Sequence, residues 1–400
     1  MKAVMYGAGN IGRGFIGATL AQSGYAVTFV DVSEEVVEHL NEKHSYPVRL
    51  VSNDEVRDVE ITGVDAIHGL NSEEVAIAIS KTDLLALSVG ANVLPFIASN
   101  IAEGIKRRFK ITEAPLNIFL CENLMDVKSV MERLLKEHLT TVEQSLFDER
   151  IGLVTTSIGR MVPVQTQEMK DGNPMRVCVE PYDSLPVDRD AIKGEMPPIN
   201  KLIPFSPFDF YLKRKLYIHN LGHAVCAYLG MVAGKTFIYE AIEESIICHI
   251  TRMAMVESGR ALASEYSVPM EEISENIDDL LQRFANRALG DTCARVGGDP
   301  ARKLAPTDRL IGAVVFCQSR GMSYVGITVG VAGAIHYYIR EKNEVQSDKN
   351  ARQVLGELCQ VEPDSDLGKM ILECYSLLCQ KISLEEIYQR ILEWDVLSDS

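Results

Sequence analysis

The chain has 400 residues, enough for two domains of ordinary size, and its 46% hydrophobic and 24% charged content is that of a globular protein. A net charge of −16 opposes attraction to phosphodiester backbones and to anionic lipid, so nucleic-acid and membrane partners are disfavoured. An anionic ligand would therefore need a local basic cluster. Nine cysteines, at 121, 178, 226, 248, 293, 317, 359, 374 and 379, include no C-x-x-C pair and read as reduced thiols of a cytoplasmic protein, not as a disulfide scaffold or zinc knuckle. Met1 to Tyr6 runs into a glycine loop without the apolar core of a signal peptide. The longest apolar stretch, Val325 to Ile339, is too short and too glycine-rich for a spanning helix.

In chain order, β-branched or apolar runs alternate with helical periodicity through the first 190 residues, as a parallel α/β sheet requires. Strands are predicted at Ala3–Tyr6, Ala26–Val30, Leu84–Ser88, Asn117–Cys121 and Leu153–Ser157, with helices at Ile11–Gln22, Glu34–His44 and Val127–His138. Met175–Glu180 reads as one more extended segment, antiparallel at the sheet edge. Five prolines between Leu185 and Phe208 mark a linker or an ordered crossover and put the domain boundary near residue 195. Beyond Phe210 the pattern is helical, with runs at Lys213–Ala227, Thr236–Ser264, Met270–Ala288, Asp308–Arg320 and Leu384–Trp394. The expectation is an α/β Rossmann-like domain over 1–195, followed by a mainly α-helical substrate domain over 196–400.

Gly7-Ala8-Gly9-Asn10-Ile11-Gly12 satisfies G-x-G-x-x-G, a weak pattern alone and a specific one between a strand and a helix. A second strand follows, and Asp31 closes it. Gly7 permits the tight turn, Gly9 lets backbone approach a pyrophosphate, and Gly12 allows close packing of helix on strand. The helix N-terminus then offers free N–H groups and a favourable dipole to phosphates. Asp31 suits the adenosine ribose hydroxyls and repels a 2′-phosphate, which favours NAD over NADP. Arg13, at the helix start, is placed to contact a phosphate. Ser88-Val89-Gly90 supplies a second loop at the carboxyl end of a strand. The same glycine turn also serves FAD-binding domains and domains that bind nothing.

Lys213-Arg214-Lys215-Leu216-Tyr217-Ile218-His219-Asn220-Leu221-Gly222-His223 carries the richest chemistry outside the loop. On an α-helix, Asn220 falls about 140° and His223 about 80° from Lys215, on the same side. Oxidising an alcohol needs a base for the hydroxyl proton and donors for the developing alkoxide, which these groups can provide. A solvated helix start with buried, satisfied Asn and His fits the pattern equally well. His219 and His223 are also at the i, i+4 spacing of zinc ligands, without the glutamate of H-E-x-x-H and without an evident third ligand.

Lys215-x4-Asn220-x2-His223 resembles the signature of the polyol-specific long-chain dehydrogenases. Gly7 to Gly14, Cys121-Glu122-Asn123 and Asp308-Arg309-Leu310 extend that resemblance over nearly the whole chain. It implies metal-independent chemistry in which Lys215 is the general base, Asn123 and Asn220 hold the substrate oxygen, and His223 binds a neighbouring hydroxyl. A lysine base must lose its proton near neutral pH, so burial or a cationic neighbour is expected, with Lys213 and Arg214 as candidates.

The early glycine loop, the chain length and the segments His44-Ser45-Tyr46, Leu221-Gly222-His223-Ala224 and Ala227-Tyr228-Leu229-Gly230 resemble the shorter branch of that family. This implies reversible NAD-linked oxidation of a hexitol phosphate, mannitol 1-phosphate or a relative, to fructose 6-phosphate. The alternatives are an unphosphorylated polyol or hexuronate substrate, and an NAD-binding sensor without catalysis. Two departures stand out: Gly159 replaces an aspartate usual before Arg160, and Arg287 replaces a proline. Arg283, Arg287, Arg295, Arg302, Lys303 and Arg309 crowd one region of an acidic chain, and Arg295, Arg302 and Lys303 are the candidate phosphate-binding residues. Helical second domains serve monomers and homodimers alike.

Overall fold

The computed structural model describes residues 1–163 and 165–398. It divides into two compact units, Met1–Tyr211 and a second from Leu212 onward.

The first unit is built on a six-stranded sheet with strand order β5-β2-β1-β6-β7-β8. Its strands are β1 (Lys2–Tyr6), β2 (Ala26–Asp31), β5 (Val64–His68), β6 (Leu84–Leu87), β7 (Leu116–Leu120) and β8 (Ile151–Thr155), and every pairing is parallel. Alternate residues of β1 feed two cores: Ala3 and Met5 pack on one face, Val4 and Tyr6 on the other. Both faces are therefore covered, which explains why β6 reads as an unbroken apolar run and β7 as one interrupted only by Asn117. Helices Ser72–Ser80 and Leu94–Ile111, absent from the sequence reading, supply part of the second core.

Strand order reverses direction between β1 and β6, where open α/β sheets form their ligand crevice.

The sequence reading also missed the hairpin of β3 (Ser45–Val51) and β4 (Val56–Thr62), because Pro47 and many charges obscure its alternation. The expected edge strand near Met175–Glu180 is corrected: β9 (Val177–Val179) pairs in parallel with β3 in a separate three-stranded sheet. Its valines are drawn onto the glycine helix, where a Cβ on Gly14 would lie within 3 Å of both.

The proline-rich stretch is an ordered crossover. It holds β10 (Leu185–Asp188) and β11 (Leu202–Phe205) side by side and belongs to the first unit, which extends to Tyr211.

The second unit is helical. The predicted Thr236–Ser264 run breaks at the extended residue Glu244 into Ile238–Glu243 and Ser245–Tyr266. The apolar, glycine-rich stretch becomes the buried helix Val325–Glu341, whose Gly326 and Gly330 let the neighbouring helices approach closely. Among the described residues no helix is long and apolar enough to cross a membrane.

Candidate active site

In the first unit the predicted cofactor residues gather at the carboxyl ends of β1, β2, β6 and β7. Gly7 has φ +100°, and a Cβ there would collide with the Ser88 carbonyl; one on Gly12 would collide with the Gly7 carbonyl. Above Gly9 nothing lies within 4 Å of a Cβ position, so this exposed loop backbone faces open space. Asn10 is exposed beside it, Ile11 is half-buried and Ala8 is buried.

Asp31 accepts the Ala8 N–H at 2.6 Å and the Ser33 N–H at 3.0 Å, which fixes its carboxylate at the end of β2. Two anchored oxygens still have lone pairs for the hydroxyls of a ribose. Ser88-Val89-Gly90 follows β6, with the Val89 and Gly90 N–H groups on the Glu122 carboxylate at 2.7 and 3.0 Å. Burial pushes the Glu122 carboxyl up, and these backbone donors pull it partly back. Glu122 had no role in the sequence reading beyond its place in Cys121-Glu122-Asn123. Asn123 itself is exposed on the loop after β7.

Arg13 corrects an expectation. Its guanidinium points inward, donating to the carbonyls of Ala8 and Met175 at 2.6 Å each, while Tyr46 Oη donates to the Arg13 carbonyl at 2.7 Å. So held, it braces the glycine loop from beneath. At Gly159 the room for a larger side chain is filled: a Cβ there would lie 3.0 to 3.2 Å from the Tyr182 ring. Arg160 is buried beside it, donating to the Gly14 carbonyl at 2.9 Å and lying 4.7 Å from the Phe15 ring centroid.

In the second unit, Lys215 lies on a helical run made of Asp209–Arg214, a π-helical stretch Lys215–Asn220 and Leu221–Val232. The wider turn alters the simple α-helical angles between Lys215, Asn220 and His223; such turns occur often at functional sites. Lys215 is lowered to about 8, first by burial and then by the charge of Arg309. The expected cationic neighbours are corrected here. Lys213 is paired with Glu265 at 2.7 Å and lies over the rings of Tyr266 and Phe316, and the charge acting on Lys215 is that of Arg309. Arg309 is held by Asp308 at 2.8 Å, and Asp308 is also bound by Arg302 at 2.9 Å.

His223 stacks on Phe284 with ring centroids 4.8 Å apart, and its Nε2 lies 3.4 Å from Asp291 Oδ2. His219 lies 6.2 Å from the His223 ring and is held well below its ordinary range, by burial first and then by the charges of Arg283, His223, Lys215 and Arg309. Among the described residues no group of three or more His, Cys, Asp or Glu side chains is arranged to hold a metal ion.

The basic cluster sorts itself. Arg287 is bound to Glu243 and Arg283 to Asp279, both pairs partly in solvent. Arg295 is bound to Asp291, with Nε to Oδ1 at 2.6 Å, and Arg302 bridges Asp299 and Asp308. Lys303 differs: it is 5% exposed, with no hydrogen-bond or ion-pair partner among the described residues. Burial and the charges of Arg309 and Arg302 lower it to about 8.

A doubly wound nucleotide-binding unit joined to a helical unit with a depressed lysine is the build of a two-domain dehydrogenase. The profile of the mannitol dehydrogenase Rossmann domain matches residues 1–201, and that of the mannitol dehydrogenase C-terminal domain matches 208–362. The chain belongs to the mannitol dehydrogenase family.

It is 39% identical to the mannitol-1-phosphate 5-dehydrogenase of Brevibacillus brevis, over 84% of this chain and 86% of that one. It is 36% identical to the protein of the same name in Bacillus subtilis, over 93% and 99%. Among solved structures it resembles a Pseudomonas fluorescens mannitol 2-dehydrogenase in ternary complex with NAD and D-mannitol. That match has 14% identity and a TM-score of 0.73, and covers 98% of this chain and 94% of the other. A D-sorbitol dehydrogenase matches with a TM-score of 0.77 at 14% identity, covering 95% and 93%. At these identities the structural matches speak for the fold.

Proposed function

We propose that this protein is an NAD-dependent polyol phosphate dehydrogenase that interconverts mannitol 1-phosphate and fructose 6-phosphate. The observation that carries the phosphate assignment is Lys303, a side chain 5% exposed that lies among the charges of Arg302 and Arg309, with Asp299 and Asp308 offsetting them only in part, in a chain of net charge −16. A buried charge is held at a steep desolvation cost unless something compensates it, and a substrate phosphate does so. The similarity to two mannitol-1-phosphate 5-dehydrogenases supports the same reading.

Gly7, Ala8, Gly9, Asn10, Ile11 and Gly12 form the pyrophosphate cradle, Asp31 takes the adenosine ribose, and Ser88, Val89 and Gly90 form the second cofactor loop, braced by Glu122. When bound, NAD supplies the acceptor for the hydride released from the alcohol carbon. In the oxidation, the neutral amine of Lys215 accepts the proton of the substrate hydroxyl at Nζ. Asn123 and Asn220 donate to the oxygen as it gains negative charge, and His223 holds the adjacent hydroxyl. In the reduction Lys215 returns the proton. Lys303 and Arg295 take the phosphate oxygens, while Arg302 supports the position of Arg309 through Asp308. All nine cysteines are free and seven are buried, which fits a reducing cytoplasm.

The test is NADH-dependent reduction of fructose 6-phosphate beside fructose, fructuronate and tagaturonate, all in the presence of EDTA. Two charge-assisted contacts to the phosphate predict a preference in kcat/KM for fructose 6-phosphate of about 100-fold or more. A preference for fructose or a hexuronate overturns the phosphate assignment, and loss of activity in EDTA overturns the metal-free mechanism.

A further inference from the structure

Asp291 sits between the hydroxyl-binding and phosphate-binding residues of the reading above, on which this inference rests. Its backbone is rigidly placed. Gly290 turns the chain at φ +58°, and Phe237 and Thr292 then form a bridge. That bridge is flanked by the Ile238 N–H on the Asp291 carbonyl and the Cys293 N–H on the Thr236 carbonyl, both at 2.9 Å. The side chain is 9% exposed and both oxygens are engaged. Oδ1 accepts Nε of Arg295 at 2.6 Å and Nη2 at 2.5 Å, while Oδ2 faces His223 Nε2 at 3.4 Å. Arg295 is fixed from its own side, since Thr292 Oγ1 accepts its backbone N–H at 3.2 Å. The His223 ring is fixed against Phe284.

A carboxylate facing Nε2 keeps the hydrogen on that nitrogen and leaves Nδ1 as the edge free for a ligand. One buried carboxylate thus sets both the rotation of His223 and the reach of the Arg295 fork.

We propose that Asp291 is a positioning residue that fixes the separation between His223, at a substrate hydroxyl, and Arg295, at the phosphate, so that the site reads the length of its phosphorylated substrate. It touches no substrate atom in this account and acts through its two partners. The group stays ionised in this role: burial raises its carboxyl, but the hydrogen bonds and charges of His223 and Arg295 outweigh that and hold it below the usual range.

The experiment compares kcat and KM for fructose 6-phosphate and for ribulose 5-phosphate, one carbon shorter, in the full-length wild type and in Asp291→Ala, Asp291→Asn and Arg295→Ala. The far-UV circular dichroism and Tm of each variant serve as the folding control. The wild type is expected to favour the hexulose phosphate strongly. Asp291→Ala should raise KM for fructose 6-phosphate by about tenfold or more and reduce the preference by a similar factor, since a truncated charged partner costs on the order of 2 kcal/mol. Asp291→Asn keeps an acceptor for Arg295 and places an amide donor against His223 Nε2. Its KM should stay within a few-fold of wild type while kcat falls. If Arg295→Ala leaves KM unchanged, the phosphate-end assignment fails and this inference with it. If Arg295→Ala raises KM while both Asp291 variants lower kcat/KM for the two substrates by one common factor, Asp291 is merely structural and the inference alone is overturned.

Discussion

Lys215 must be neutral to take a proton, and burial reinforced by Arg309 brings it to about 8. Relative to an unperturbed lysine this increases the neutral fraction at pH 7 by about 300-fold. Lys303 shares the depression to about 8 but has the opposite requirement, because in its proposed role it would bind phosphate only while protonated. Its folded value lies below its unfolded one, so the buried cation destabilises the native state below about pH 8, and the penalty fades as pH rises toward that of free lysine. Lys303→Met should therefore raise the Tm of thermal unfolding at pH 7, by at most about 3 kcal/mol of stability, with a gain that narrows at pH 10. The same variant should raise KM for fructose 6-phosphate at least tenfold; a lower Tm with an unchanged KM would show that the ammonium has no ligand to wait for.

Single residues were legible in the sequence where the residue type carries the chemistry, as with Lys215, His223 and Asp31. They were illegible where partners far apart in the chain decide the role. Arg13 ends beneath its own loop because the carbonyls of Ala8 and Met175 receive its guanidinium, and Asp291 gains meaning only once His223 and Arg295 flank it.

At the scale of elements, the glycine turn between β1 and its helix, with Asp31 at the end of β2, could be read from residue order because its residues all lie within one strand–helix–strand unit. Asp31 anchors the Ala8 N–H, and its charge would repel a 2′-phosphate. Asp31→Ser should cut kcat/KM with NAD by about 10- to 100-fold, the worth of charge-assisted hydrogen bonds, and raise it with NADP. Equal loss with both cofactors would assign Asp31 to loop support alone. The hairpin β3/β4 and the buried helix Val325–Glu341 were harder to read, the first because half of it faces solvent and the second because it is apolar all round and loses its 3.6-residue period. The π turn at Lys215–Asn220 leaves no signature in composition at all.

For the molecule as a whole, the proposed roles follow the two units: the proposed cofactor loops belong to Met1–Tyr211, and the proposed proton acceptor and phosphate cations to the helical unit after it. The second domain was recognisable as helical from periodicity, and the proline-rich stretch, open in the sequence to a linker or an ordered crossover, builds β10 and β11. In an acidic chain, a largely buried lysine held low by neighbouring arginines points to an anionic substrate more directly than those arginines, most of which are bound to neighbouring carboxylates.

The central claim is that Lys215 is the base of an NAD-linked polyol phosphate oxidation, and the pH dependence of kcat for mannitol 1-phosphate oxidation tests it most directly. The wild type should show kcat rising through an apparent pKa of about 8, and Lys215→Met should lose at least a thousandfold in kcat, with NADH binding intact. A Lys215→Met enzyme that keeps its turnover and the same pH profile would contradict the account.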